Sequence, residues 1–357
     1  MIKIKYFSNL KTLLLRNFTN KRRNRTNLLV TLVVPPFLGI LLSFVLRRTN
    51  DGQEYLYADN GNIPIYIFVS IIVMIFLGLT NSVDDIIKDK TILVRERLLG
   101  IRVSAYLLSK YIVLLFFAII QVLLYLLVSQ NILGINSLFS EYFIYLLLAN
   151  NLGISFGLLI SSVSKSANIA LNIMPLTLIP QIVFGGALIQ YEKMNKDLRI
   201  NPASVIPEFC NLMPSRWAFE GLFVASSNPG GLQELVVKQE ELQVAYLVCK
   251  EKCLEKDPDA NCAENQCKDL YESREEVQAA LADRSVLLNN EIRTAVLNAD
   301  TEQLNDQSKQ VHFLAPYKLV SGHKISTQLF NKIVLLCFIT FNFVLTYAAL
   351  RSKKLPR

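Results

Sequence analysis

Six long apolar stretches constrain the fold of this chain more than any other feature of its sequence. A helix of about 20 apolar residues crosses roughly 30 Å of hydrocarbon, so each stretch is long enough to span a bilayer. The stretches are Leu28–Leu46, Ile63–Thr80, Ala105–Val128, Tyr142–Ser162, Asn168–Gln190 and Asn331–Leu350. The sequence therefore predicts an all-α, polytopic membrane protein with six transmembrane helices. Lys110, near one end of the third stretch, is expected to extend its ammonium group to the lipid headgroups.

Positive charge predicts which side of the membrane each end of the chain occupies. The first 26 residues contain eight Lys or Arg and no acid, and the tail RSKKLPR is also basic. Since short positive segments stay on the cytoplasmic side, both termini are predicted to be cytoplasmic, at the plasma membrane. The loop 191–330 is then extracytoplasmic. We attribute the basic excess to orientation and to contact with anionic membrane lipid, and not to nucleic-acid binding.

An amphipathic helix and a basic N-terminus, residues 1–27, are predicted ahead of the first span. Four apolar side chains recur at intervals of 3, 4 and 4 residues and so share one helix face: Phe7, Leu10, Leu14 and Phe18. Such a helix lies in the membrane interface, and a solvated cytoplasmic helix is the alternative. The further domains predicted are 28–190 for the first five spans, 191–330 for the loop, and 331–357 for the last span and tail.

Five of the six cysteines lie in the predicted extracytoplasmic loop. The sequence EKDPDAN is a turn signal, and an antiparallel helical hairpin around it brings Cys249 to Cys267 and Cys253 to Cys262. Exported compartments are oxidising, so two disulfides are predicted there, and a bacterial inner membrane is expected. Four cysteines allow three disulfide connectivities, of which this nested one is predicted. The alternative to disulfides is a four-cysteine zinc site, although the two-residue spacing typical of such sites is missing. The hairpin offers a surface to an extracytoplasmic partner.

The sequence contains no motif for catalysis, metal binding or nucleotide binding. It lacks the G-x-x-x-x-G-K-[ST] phosphate loop, H-E-x-x-H and G-x-S-x-G. His312 and His323 have no carboxylate or cysteine at a catalytic spacing, so a solvated or structural role is expected. No span carries a charge in its middle, which disfavours a transporter driven by an ion gradient. We expect neither an enzyme nor a bound cofactor or metal, and any driving energy would come from another chain or domain.

A short and highly charged connection, at about 83–104, joins the second and third spans on the predicted cytoplasmic side. Its sequence DDIIKDKTILVRERLLGIRVS is too regular for a loose linker and is typical of a helix that docks a partner. Four apolar side chains are expected to seat one face on that partner: Ile92, Leu93, Leu98 and Leu99. Four charged side chains are expected to remain available for ion pairs: Arg95, Glu96, Arg97 and Arg102. Gly100 allows the chain to turn back toward the membrane.

This connection resembles the coupling-helix region of ABC exporter permeases, especially those of the ABCG or White type. The stretch VRERLLGIRVSAYLLSK is similar to that family's pattern of a Glu, a Gly, an Arg-Val-Ser-x-Tyr run and a Lys. The matching residues are Glu96, Gly100, Arg102, Val103, Ser104, Tyr106 and Lys110. Two supporting stretches are FGGALI at Phe184–Ile189 and PSRWAFEGLF at Pro214–Phe223. The resemblance covers roughly residues 1–230 and 320–350.

The resemblance implies an ATP-driven exporter that moves a hydrophobic or amphipathic substrate by alternating access. It implies an elbow helix before the first span, re-entrant helices before the sixth, and two permeases that pair. Each permease contacts an ATPase, which binds ATP and Mg²⁺, through the connection after the second span. The coupling residues implied are Arg95, Glu96, Arg97, Gly100 and Arg102. The substrate-cavity residues implied are Phe68, Phe76, Asn172, Met174, Gln181 and Phe184.

Two features depart from the family's pattern. The family usually carries its ATPase on the same polypeptide ahead of the elbow helix, so here the ATPase is expected on a separate chain or on a segment not included. The outer loop is also enlarged by the cysteine-bearing hairpin. The alternative function is therefore a scaffold or mechanotransmission complex, in which a partner ATPase moves the hairpin and no substrate crosses the bilayer.

Overall fold

Helices make up most of the fold. The computed structural model describes residues 2–49, 55–135, 138–200, 206–227, 238–239, 241–249, 251, 267–285, 289–305, 313–320 and 323–352. The first eight helices are α1 Ile2–Arg23, α2 Arg25–Leu46, α3 Ile63–Ser82, α4 Asp85–Lys88, α5 Lys90–Leu98, α6 Val103–Leu133, α7 Phe139–Val163 and α8 Ala167–Val183. The later helices are α9 Pro214–Ser226, α10 Lys268–Ser285, α11 Asn290–Asn305 and α12 Thr327–Ser352, and residues 241–249 are also helical. Short 3-10 turns cover Tyr191–Lys193, Lys196–Leu198 and Glu208–Leu212.

Among the described residues, five helices are long and apolar enough to cross a membrane, which confirms a polytopic helical membrane protein. They cover Leu28–Leu46, Ile63–Lys88, Val103–Leu133, Phe139–Val163 and Thr327–Ser352. Each corresponds to one of the predicted spans. The helices α2 and α12 keep most of their apolar surface on the outside of the fold, as expected for helices that face lipid.

The remaining predicted span, Asn168–Gln190, is shorter in the structure than in the prediction. Its helix α8 has 17 residues and ends at Val183, which gives a length of about 25 Å. The chain turns directly after it at Gly185 and Gly186, and Gly186 has a φ of 86°. A side chain at Gly186 would collide with the ring of Tyr191, and one at Gly185 with Phe68. These contacts explain why both positions of the turn are glycine, and the positive φ of Gly186 directs the FGGALI stretch away from the helix.

The core of the bundle is the contact between α3 and α7. A Cβ atom on Gly78 would collide with the backbone of α7 at Asn150, and one on Gly153 would collide with the backbone of α3 at Ile75. Glycine on both helices therefore lets the two backbones touch, as small residues do in membrane helix pairs. Around this contact lies the main apolar core, which includes Ile71, Met74 and Leu152 at 0% exposure.

The predicted N-terminal helix is confirmed as α1, and it packs along α6. Phe18 contacts Phe116 and Phe117, with ring centroids 5.6 and 6.1 Å apart. Asn17 donates a hydrogen bond to the Ser109 hydroxyl at 2.9 Å. Part of the apolar face predicted for the lipid interface therefore covers α6 instead. The position of the helix in the membrane interface stays a prediction.

The part of the loop 191–330 that the structure describes is anchored on the bundle. The Asn289 side chain donates to the carbonyls of Tyr57 and Asn60, both at 2.9 Å, and so holds α11 on the connection between α2 and α3. Ile292 and Val296 of α11 join the main core. This loop is therefore not an independent appendage.

Two further features belong to this loop. A short antiparallel pair, β1 Tyr317–Val320 and β2 His323–Ser326, precedes α12 and was not included in the all-α prediction. Cys249 and Cys267 form a disulfide with their Cα atoms 6.2 Å apart, as the nested pairing requires. Cys253 and Cys262, the second predicted pair, lie outside the described residues. Cys210 is buried with a free thiol.

Candidate functional site

The charged connection between α3 and α6 folds as two short helices, α4 and α5, that meet at Asp89. The backbone amides of Ile86 and Ile87 donate to the Ser161 hydroxyl at 3.1 and 3.2 Å, which fixes α4 on the end of α7. Asp89 lies at the junction and interrupts the helix, since its φ and ψ are −93° and 7°. The predicted single coupling helix at about 83–104 is therefore a bent pair.

Three ion pairs tie this connection to its neighbours, and we call them the ionic layer: Arg16–Glu96, Lys21–Asp85 and Lys110–Asp89. Arg16 of α1 donates to the Glu96 carboxylate of α5. Lys21 of α1 lies 3.3 Å from Asp85 of α4, and Lys110 of α6 lies 2.7 Å from Asp89. Except for Arg16, these side chains are 9–15% exposed, so water screens the pairs only weakly. The ionic layer therefore joins α1, α4, α5 and α6.

A further contact connects α5 to the last span. The Arg97 guanidinium donates to the carbonyl of Leu350, in the last turn of α12. The final carbonyls of a helix have no partner within the helix, and they carry partial negative charge. The Arg97 guanidinium supplies both a hydrogen-bond donor and a positive charge, so it caps the C-terminal end of α12.

The structure corrects the expectation that four charged side chains remain available to a partner. Glu96 is 7% exposed and is paired with Arg16, while Arg97 contacts Leu350. Arg95 and Arg102 are exposed, and Gly100 turns the chain with a φ of 77°. The Lys110 side chain is also buried against Asp89 and does not extend to the headgroups as expected.

The outer face of α5 exposes apolar surface. Leu98 is 72% exposed and Leu99 is 80% exposed, and both lie beside the exposed Arg95 and Arg102. Leu93, on the opposite side of α5, is buried in a second apolar cluster with Tyr106 and Leu107. The helix thus uses one apolar side for the bundle and leaves the other uncovered in the single chain. We call Leu98 and Leu99 the exposed leucine pair.

The six side chains that the resemblance assigned to a substrate cavity do not line one site in the single chain. Phe68, Met174 and Gln181 are 4–5% exposed and belong to the interior. Phe184 packs edge-on against Phe209. Phe76 and Asn172 are exposed on α3 and α8. A shared cavity would therefore need surfaces from outside this chain.

The buried polar side chain of Gln181 in the apolar helix α8 has a structural role. Its backbone carbonyl accepts from the Ser215 hydroxyl at 2.7 Å, and its side-chain oxygen accepts from the Ser215 amide at 3.1 Å. These bonds attach α8 to the first turn of α9. A polar residue in this apolar helix thus serves to hold the PSRWAFEGLF segment, which begins α9 at Pro214.

A second charged cluster lies at the other end of the bundle. Glu220 of α9 is 0% exposed and binds the ammonium of Lys318 at 2.5 Å. It also accepts from the Leu314 amide at 3.1 Å and the Asn331 side chain at 3.2 Å, so it joins α9, β1 and α12. Burial raises the pKa of Glu220, but the positive charges of Lys318 and Arg216 outweigh it and hold the pKa below its usual value. The carboxylate is therefore ionised at neutral pH.

The sequence of this chain is similar to that of known transport proteins. The sequence model of the ABC-2 type transporter family matches residues 8–225, from α1 to the end of α9. An ABC transporter ATP-binding/permease protein of Mycobacterium tuberculosis is 24% identical over 225 residues, which cover 58% of this chain and 25% of that protein. The chain therefore spans about a quarter of the length of this curated relative.

The buried position of Glu220 leads to a stability prediction. Glu220→Gln removes the negative charge beside two buried cations, and we expect the free energy of unfolding to fall by about 3 kcal/mol. The matched control is Glu141→Gln, because Glu141 pairs with Lys332 at 2.9 Å but both side chains are about a quarter exposed. That control should lose less than about 1 kcal/mol. Denaturant titration in detergent measures both values, and equal losses would contradict a special role for burial at Glu220.

Proposed function

This chain belongs to the ABC-2 type transporter family, and we propose that it is the permease of an ATP-driven exporter of the ABCG or White type. Its substrate would be a hydrophobic or amphipathic molecule, moved by alternating access between the two sides of the membrane. The observation that carries this proposal is the exposed leucine pair on a connection that is otherwise packed into the bundle. The membrane component itself is not catalytic, so ATP and Mg²⁺ would bind to the ATPase.

The exposed leucine pair supports docking of that ATPase. Burying a leucine side chain is worth about 1.5–3 kcal/mol, so two exposed leucines on a polar, charged surface favour a partner. Arg95 and Arg102 flank them and would orient a partner that carries acidic groups. The first 26 residues, which carry eight positive charges and no acid, support a cytoplasmic position for this end of the bundle.

The contacts behind the leucine pair support a route for force. A push on α5 acts on α1 through Arg16–Glu96 and on α12 through Arg97. Through Asp89 it also acts on Lys110 and therefore on α6. Packed elements with discrete contacts of this kind transmit motion as rigid bodies. ATP-driven closure of the ATPase would then move two spans, α6 and α12, together with α1.

A second copy or a homologue is proposed as the partner within the membrane. The face of α8 exposes Leu171, Leu176 and Ile179 together with the polar Asn172. Asn172 facing lipid alone would leave its amide without partners, whereas a facing helix supplies them. A substrate path between two copies would also use Phe76, which is 39% exposed on α3.

The docking proposal predicts the effect of charge on the leucine pair. Changing Leu98 and Leu99 together to Asp should weaken binding of the purified ATPase at least tenfold, since about 3 kcal/mol of burial is lost. Leu188→Asp is the control, because Leu188 is 67% exposed in the loop after α8. The ATPase is first identified by mass spectrometry of proteins that co-purify in mild detergent, and its affinity is then measured for each variant.

The purified ATPase and permease also allow transport itself to be tested. Hydrolysis by the bound ATPase should rise when a hydrophobic substrate is added to the wild-type complex in proteoliposomes. Binding that is equal for the leucine variant and for Leu188→Asp would overturn the docking surface. An ATPase that binds but never responds to any of a broad substrate panel would overturn the exporter.

The mechanotransmission function is kept as a second candidate because the outer loop is held on the bundle. Asn289 and Asn290 bond to the connection after α2, and α11 enters the main core. A movement of α2 or α3 would therefore reach the outer loop even if no substrate crossed. The enlarged loop would in that case act on an extracytoplasmic partner.

Shortening the loop separates the two candidates. The Cα atoms of Cys249 and Cys267 are 6.2 Å apart, so a two-residue linker can replace residues 250–266 and keep the disulfide. We expect substrate-stimulated ATP hydrolysis and transport to remain above about half of the wild-type rate, because the bundle contacts of α11 are untouched. Loss of all function with intact ATPase binding would instead favour mechanotransmission.

A further inference from the structure

A polar cavity of about 200 Å³ lies beside the ionic layer, between α1, α4 and α6. Its walls carry charged and amide side chains almost throughout. The lining residues are Asn17, Asn20, Lys21, Asn24, Asp85, Lys88, Asp89, Lys110 and Val113. A space of this size exceeds the room that one water molecule needs and accommodates a small polar headgroup.

The cavity lies at the ends of three helices, α2, α3 and α6, that are long and apolar enough to cross a membrane. Asn24 directly precedes α2, and Asp85 follows the end of α3 at Ser82. Lys110 lies two turns into α6, about 10 Å from its first residue. The cavity therefore lies where three spanning helices begin or end, at the boundary between hydrocarbon and water.

The charge around the cavity favours an anion. Each of its three lysines forms an ion pair, Lys21 with Asp85, Lys88 with Asp84 and Lys110 with Asp89, and the exposed Arg22 and Arg23, next to Lys21 in the chain, leave the surroundings net positive. Each ammonium has three donors. Lys21 uses two of them, on the Asn81 carbonyl at 2.8 Å and on Asp85, while Lys110 binds Asp89. Donors therefore remain for a further acceptor such as a phosphate oxygen.

The amide side chains favour a ligand that also donates hydrogen bonds. Asn17 is 4% exposed, and its side-chain oxygen accepts no hydrogen bond from the residues that the structure describes. Its amide nitrogen is already engaged with Ser109. Asn20 lines the cavity on the same side of α1. A buried acceptor without a donor is costly, so a hydroxyl group at this wall would be stabilising.

We propose that this cavity binds the headgroup of an anionic phospholipid of the phosphatidylglycerol type. The phosphate lies among the ammonium groups of Lys21, Lys88 and Lys110, and the glycerol hydroxyls lie toward the amides of α1. The acyl chains extend along α2 and α6, whose outer faces are apolar. The proposal does not depend on the direction of transport or on the substrate.

Native mass spectrometry of the delipidated, full-length chain tests the proposal with defined lipids. Phosphatidylglycerol should bind as one tight equivalent, at least tenfold tighter than phosphatidylcholine. Lys88→Gln should weaken this binding about fivefold, the contribution of one basic residue near an anionic lipid. Lys90→Gln is the matched control, because Lys90 is an exposed lysine two residues away that does not line the cavity. It should bind the lipid as the wild type does.

Three results of these binding measurements would contradict the proposal. Equal phosphatidylglycerol affinity for Lys88→Gln and Lys90→Gln would overturn the site, and so would equal binding of phosphatidylcholine and phosphatidylglycerol. Glycerol 3-phosphate in place of the lipid should bind at least a hundredfold more weakly. Equal affinity for glycerol phosphate would overturn a lipid and indicate a soluble phosphate ligand. Melting temperatures measured without lipid show that both variants are folded, since both lysines are exposed.

Discussion

The exclusion of unpaired charge from hydrocarbon is the constraint on which this structure depends. A charge at the bilayer centre costs several kcal/mol or more, so the charged side chains of this bundle collect at the ends of its spans. At one end, Glu96, Asp89 and Lys110 are largely buried and each is paired. At the other end, Glu220 is buried completely and binds Lys318. Between the two ends, glycine contacts and apolar packing hold α3 against α7.

Pairing at the ends has a consequence for mechanics. Removing one member of a buried pair leaves an uncompensated charge and costs about 3–5 kcal/mol, which is far more than an exposed pair is worth. The contacts that join α1, α4, α5, α6 and α12 are therefore costly to separate. A partner that pushes on α5 would therefore act on several joined helices and not on an isolated linker. This property is what a motor protein would need in order to move several spans at once.

Much of the fold could be predicted from the sequence, because its signals are local. Long apolar stretches predicted the spans, and the 3-4-4 spacing of apolar residues predicted α1. The turn signal between the cysteines predicted the pairing of Cys249 with Cys267. The end of α8 was missed, because the close contacts of Gly185 and Gly186 with Phe68 and Tyr191 cannot be read from a hydrophobicity pattern.

The pairing partners within the site were not predicted, for a different reason. Arg16 and Glu96 are 80 residues apart in sequence, and no local pattern connects them. The burial of Lys110 had a weak signal, a charge inside an apolar stretch, but the snorkelling explanation was equally consistent with it. The cavity residues carried over by resemblance required knowledge of which helix faces point inward. Because the sequence does not show which face of α8 points inward, it could not show that Gln181 hydrogen-bonds to Ser215 instead of lining a cavity.

The Arg16–Glu96 contact predicts that α1 and α5 move as one body during the cycle of the proposed ATPase, and a distance between these helices tests that claim most directly. Leu15 of α1 is 60% exposed, and Thr91 of α5 is exposed and lies outside the leucine pair, so both positions accept a spin label. Double electron–electron resonance on the complex with its ATPase would compare the nucleotide-free state with the ATP-bound state. We expect one narrow distance distribution that is the same in both states. A shift or broadening on ATP binding would contradict the claim, because the connection would then move independently of α1.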